Sequence, residues 1–216
     1  IPCQIPIVLA KGLFENQKYG IFSMLPGVSG EKLRYDSFSQ SQTLKNCMKV
    51  AYHLHCSGKP LSSKGTLISC LNEVVNRVRN LALSTVQSNA VDLANKLVLA
   101  AIPEFQHIGP VYGHEDFKIA NLLFDHANGN LIGAIDWGGY QEVEFPAYDM
   151  LFLLVDFQWR NSKMTLAQVL KSWLIEDFGS ESYHSIFTTY LEKIDLNYSD
   201  SLIKGLIAYQ WLKRLA

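Results

Sequence analysis

The sequence predicts an α+β protein with a short β-rich opening, a mostly helical body and one β-hairpin set inside that body. Residues 5–10 and 18–24 are β-branched or alternating runs on either side of the Glu15-Asn16 turn. From Ser37 onward apolar residues recur at helical spacing, as at Leu44, Cys47, Met48 and Tyr52. Two short apolar runs, residues 122–125 and 131–136, flank His126-Ala127-Asn128-Gly129. Asn-Gly is a strong hairpin signal because both residues tolerate positive φ.

Taken in order, Leu25-Pro26-Gly27 ends the β opening, since Pro has no N–H to give a ladder. The first helix runs from Ser37 until Ser57-Gly58-Lys59-Pro60 stops it. Further helices are expected over residues 66–83 and 90–105. After the hairpin and Pro146 the chain is helical again, over residues 147–159, 165–178, 183–193 and 201–215. Phe152, Phe157, Trp159 and Trp173 read as core or cleft wall. No repeat, low-complexity tract or inter-domain linker interrupts this order.

Composition excludes several classes of function. At 216 residues, 48% apolar and 18% charged, the chain has the make-up of a globular domain. A formal net charge of −1 provides no electrostatic pull toward nucleic acid or an anionic membrane. Lys213-Arg214, the densest basic spot, reads as decoration at a helix end. No apolar run approaches the ~20 residues that span a bilayer. The opening IPCQIPIVLA has no basic start, so a cytoplasmic location is expected. Cys3, Cys47, Cys56 and Cys70 form no metal-ligand spacing and read as reduced thiols. His53 and His55 point apart on a helix, which argues against a metal there. No feature speaks to oligomeric state.

The chemistry concentrates in residues 111–148. His114-x-Asp116 is followed five residues later by Asn121, and the hairpin then carries Asp136-Trp137-Gly138. This order of groups suits phosphoryl transfer from a nucleotide. Asp116 can take the proton of an attacking hydroxyl, and Asn121 and Asp136 offer oxygen ligands to Mg²⁺ on the phosphates. Asp149 reads as a helix cap or brace beside this loop. Glu142 and Glu144 read as solvated.

His114-Glu115-Asp116-Phe117-Lys118-Ile119-Ala120-Asn121 resembles the catalytic loop of kinase-like phosphotransferases, and Ile135-Asp136-Trp137 resembles their metal-binding motif. Ala147-Tyr148-Asp149-Met150 resembles the start of the next helix in the aminoglycoside phosphotransferase and choline kinase-like family. An activation segment closed by Ala-Pro-Glu, as in protein kinases, does not occur. The resemblance implies a protein kinase-like (small-molecule kinase) fold. Residues 1–25 would be the end of the N-lobe and the hinge, and residues 26–216 a helical C-lobe. It implies Asp116 as catalytic base, Lys118 near the transferred phosphate, and His114 as support for the loop. It further implies Asn121 and Asp136 as Mg²⁺ ligands, and Ser23, Met24 and Leu25 as the border of the adenine. The implied reaction is ATP-dependent transfer to a hydroxyl of a small molecule, with an aminoglycoside, amino alcohol or sugar as acceptor.

The chain also departs from the pattern. Glu115 stands where the family usually has Gly, and Glu144-Phe145 where it often has Gly-Asp. No glycine-rich loop precedes a strand. Lys11 reads as a turn residue, because the hinge follows it too soon for the kinase strand lysine. The chain reads as an excerpt of a longer protein, since a half-sheet would leave strand edges exposed. These departures keep a second reading open, a non-catalytic kinase-like binding module.

Overall fold

The computed structural model describes residues 3–15, 17–33, 37–57, 64–81, 83–105, 109–139, 141–175 and 181–216. The chain opens on an antiparallel hairpin of β1 (Val8–Phe14) and β2 (Gln17–Phe22), in which Lys11 faces Gly20. Lys11 is thus a strand residue. The turn comes later, at Glu15, whose φ is 48°. The first strand begins and ends later than the apolar run 5–10 and the second begins and ends earlier than the run 18–24, because pairing rather than side-chain alternation sets their ends.

A three-stranded antiparallel sheet follows, in the order β3 (Val28–Ser29), β5 (Leu122–Phe124), β6 (Leu131–Ala134). Gln4 bridges Gly133 on the outer side of β6, with its N–H on the Ile132 carbonyl and its own carbonyl accepting from Ala134 N–H. The β5–β6 connection is a hairpin, as expected, but its turn differs from the simple Asn-Gly form. Only Gly129 takes positive φ (67°), and Asp125 organises the loop by accepting from Ala127 N–H and Asn128 Nδ2. A further pair, β4 (Val111–Gly113) with β7 (Gln141–Glu144), was not anticipated. It brackets the loop and hairpin, which are thus held on both sides by one strand pair.

The helices are α1 (Ser37–Ser57), α2 (Lys64–Arg79), α3 (Thr85–Ala101), α4 (Tyr148–Asn161), α5 (Leu166–Ile175), α6 (Glu181–Lys193) and α7 (Asp200–Leu215). The expected stretch 90–105 starts earlier, because Ser84 and Gln87 form a reciprocal capping box. It ends as a 3-10 turn over Ile102–Phe105. The expected stretch 165–178 overlaps α5, and its last residues lie outside the described ones. Residues 148–158 of α4 are all buried, so α4 is the axis of the helical body. Phe157 and Trp173 lie in the core, whereas Trp159 is partly exposed. Among the described residues, no helix is long and apolar enough to cross a membrane.

Helix α7 packs closely along α3. A Cβ placed on Gly205 would lie 2.3 Å from the Ala101 Cβ and 3.1 Å from the Leu97 carbonyl. Alanine at 205 would gain about 1 kcal/mol of helix propensity. Forcing the two helices apart costs about 1–3 kcal/mol, and the clash is with backbone-fixed atoms that cannot rotate away. Gly205→Ala is therefore expected to destabilise the fold by up to roughly 2 kcal/mol, seen as a lower urea midpoint with an unchanged m-value.

Candidate active site

The loop after β4 has little regular structure, so its backbone groups must find partners elsewhere. Asp149, in the first turn of α4, supplies two of them. Its Oδ2 accepts from His114 N–H at 2.7 Å and its Oδ1 from Glu115 N–H at 3.1 Å. Asp149 is therefore a brace across to the loop. Burial foremost raises its carboxyl to about 7; the nearby charge of Glu144 adds to this, while the two N–H groups pull the other way.

His114 is fully buried, with its ring 4.4 Å from that of Trp137. Its Nε2 lies 3.0 Å from the Ile135 carbonyl, which can only accept, so Nε2 carries the proton. Burial lowers its pKa and favours the neutral ring. The imidazole thereby ties the loop to the end of β6. Asn121 N–H bonds the Lys118 carbonyl, and the Asn121 carbonyl accepts from Ile135 N–H.

These bonds gather the polar groups singled out from the sequence. Asp116 Oδ2 accepts from Lys118 Nζ at 2.5 Å and from Asn121 Nδ2 at 2.9 Å. The Asn121 amide, which also donates to the Asp116 carbonyl at 2.9 Å, has both donors committed. Its Oδ1 is therefore left for another ligand. Asp136, at φ 63°, follows Ile135 directly, and no donor among the described residues occupies its carboxylate. One amide oxygen and one free carboxylate are hard donors of the kind Mg²⁺ takes alongside phosphate oxygens and water. Among the described residues no cluster of three His, Cys, Asp or Glu side chains forms a self-contained metal site. The residues present thus fit a metal that arrives with its substrate.

The adenine-border candidates lie elsewhere. Ser23 is bound to Ile7 through reciprocal hydrogen bonds of 2.8 Å, so its backbone N–H is already used. Met24 is 94% exposed. Leu25 reaches over Gly133 of β6, the strand that leads to Asp136.

A network that the sequence did not reveal lies beside Asp116. Lys213 of α7 is 2.6 Å from Glu115 Oε1 and 2.6 Å from Glu144 Oε2, and its ammonium lies 4.8 Å from the Tyr148 ring centroid. Glu144 is 1% exposed and Lys213 10%, so neither is the solvated residue expected. The Glu142 side chain lies outside the described ones. Burial opposes the charge on Lys213, but Glu144 and Glu115 outweigh it and raise its pKa. Glu115 itself has φ 70°, where any residue but Gly carries a cost of about 1–2 kcal/mol. Lys213 is fixed by the buried Glu144 and gives the Glu115 carboxylate, 26% exposed, a stationary partner that opposes this cost. Lys213 and Glu115 share the wall of an open cavity of about 320 Å³ with Asp116, Tyr148, Phe152 and Arg214.

A sequence model of the phosphotransferase enzyme family matches residues 3–184. The chain belongs to this family. No curated protein sequence matches this phosphotransferase. Among solved structures it is similar to the Streptomyces rimosus aminoglycoside phosphotransferase APH(3'')-Id in complex with ADP and streptomycin. Sequence identity is 14% and the TM-score 0.62, over 97% of this chain and 75% of the other. It is also similar to the GDP complex of aminoglycoside 2'-phosphotransferase-IIIa, with 18% identity and a TM-score of 0.51, over 99% of this chain and 77% of the other. The α+β, protein kinase-like expectation holds. As a member of this family the protein is a small-molecule kinase.

Asp149 sets the first test. Its folded pKa, about 7, lies above the model carboxyl value of 3.8, so the folded state holds the proton more tightly. The stability contributed by that proton is complete below 3.8 and is lost as pH rises through about 7. In Asp149→Asn the fall in unfolding free energy across that window should be shallower than in the wild type, by urea titration at stepped pH. Asp149→Ala removes the acceptor of both loop N–H groups and should cost about 2–6 kcal/mol at low pH, where the wild type has the full contribution of Asp149, and less as pH rises through about 7.

Proposed function

We propose that this phosphotransferase moves the γ-phosphoryl group of ATP to a hydroxyl of a small molecule. The observation that carries this reading is the Asp116 carboxylate, bonded by Lys118 and Asn121 in the wall of an open cavity. The ADP and GDP complexes of the similar structures support a nucleotide co-substrate, and the streptomycin complex supports a hydroxylated acceptor.

In this reading residues 1–25 form the end of an N-lobe and the hinge, and residues 26–216 the helical lobe. Ser23, Met24 and Leu25 border the adenine. Asn121 and Asp136 would hold Mg²⁺, which would supply charge neutralisation on the nucleotide phosphates. Asp116 orients the acceptor hydroxyl and takes its proton. The acceptor oxygen bonds to the γ-phosphorus as the bond to the β-phosphate oxygen breaks, and ADP leaves. Lys118 moves no proton; its ammonium offsets charge on the transferred group. His114 holds the loop and takes no part in the chemistry. Positioning contributes most of the acceleration, because the transition state is loose and leaves the protein little covalent work.

Asp116→Asn should lower turnover by about 10²–10⁴, with ATP affinity nearly unchanged by calorimetry. Wild-type turnover in that variant would sink the assignment. Asp136→Ala should raise the Mg²⁺ concentration needed for half-maximal activity. Tight ATP binding with no ADP release, across aminoglycosides, sugars and amino alcohols, would instead favour a binding module.

A further inference from the structure

The residue just before Asp116 is held in an unusual way. Glu115 has φ 70°, in the left-handed region that disfavours a side chain, and it is not glycine. Every polar group it carries toward the protein is engaged. Its N–H bonds Asp149, one carboxylate oxygen meets Lys213 at 2.6 Å, and the other accepts from Gln141 Nε2 at 3.2 Å. Lys213 is in turn committed to Glu144 at 2.6 Å and lies between the Tyr148 and Tyr209 rings. An ordinary surface ion pair would have mobile, hydrated partners and would hold nothing in place. Here the cation is 10% exposed and is held by a Glu144 carboxylate that is 1% exposed, so it presents a fixed charge to Glu115, which is 26% exposed.

We infer that Lys213 is a positioning residue, which acts through Glu115 to hold the backbone that aims the Asp116 carboxylate. A turn of the Glu115 backbone out of the left-handed region would redirect the chain into Asp116 and strip two N–H groups from Asp149. Lys213 does not touch the reacting atoms. Its effect on turnover rests on the phosphotransferase reading, whereas its effect on the loop does not.

The test uses the full chain and compares Lys213→Met, Glu115→Gln and the double variant Lys213→Met with Glu115→Gly. One readout is hydrogen exchange at the His114 and Glu115 amides. The other is Mg-ATP turnover, scored as ADP release with water and with a panel of aminoglycosides, sugars and amino alcohols. Lys213→Met should speed exchange at both amides by about tenfold or more. It should slow turnover by a similar factor with the KM for ATP unchanged, a split that general loss of fold would not produce. Glu115→Gln, which leaves Lys213 on Glu144, should loosen the same two amides without unfolding the chain. Adding Glu115→Gly to Lys213→Met should return both readouts toward wild type, because glycine needs no clamp at that φ. Unchanged exchange in Lys213→Met and Glu115→Gln, or a double variant as impaired as the single one, would overturn the inference. If the wild-type chain releases no ADP with any acceptor, the phosphotransferase reading fails, and the exchange measurements alone decide the role of Lys213.

Discussion

Two hydrogen bonds to one buried carboxylate organise this molecule. The loop from His114 to Lys118 belongs to neither a helix nor a sheet, and its N–H groups cannot be left dry and unpaired. Asp149 accepts two of them, so the loop sits wherever Asp149 sits. Asp149 in turn is carried by α4, whose side chains through Gln158 are buried. Burial of apolar surface around one helix is thus converted into the position of a polar loop. The conversion is costly for the carboxylate, which is why its proton affinity is lifted despite two donors.

Around that brace the charges divide into two kinds. Some are spent inside the protein, as in the Glu115–Lys213–Glu144 bridge and the Asp156–Arg160 pair. The exposed Asp136 carboxylate, by contrast, has no donor among the described residues. The groups that hold the loop are satisfied within the fold. The family assignment and the kinase-like fold agree with the arrangement, although the similar solved structures share under a fifth of their residues with this chain.

What the sequence disclosed followed chain proximity. His114, Asp116, Asn121 and Asp136 lie within one short stretch, so their spacing alone exposed the loop and hairpin. Helices were readable because burial on one face writes a period into the sequence. Strands β4 and β7 were not, since three or four residues are too few to show alternation. The capping box at Ser84 and Gln87 was written in the sequence and passed over, which moved the start of α3. Glu144 and Lys213 were misjudged for a different reason. Each looks like a surface residue by type, and only the fold reveals that they neutralise one another. Glu115 drew notice as an oddity, but its backbone angle and its partners could not be read from its neighbours.

The same separation along the chain bears on how the protein is made. Lys213 lies 69 residues beyond Glu144, and Asp149 lies 35 residues beyond His114. On a ribosome the catalytic-loop sequence emerges well before the side chains that hold it. It must wait first for α4 and then for the last turn of α7. Until then Glu115 and Glu144 have no Lys213 to neutralise them. The loop therefore acquires its shape only after α7 has been made, and a chain stalled before α7 would have these groups without their Lys213 contact.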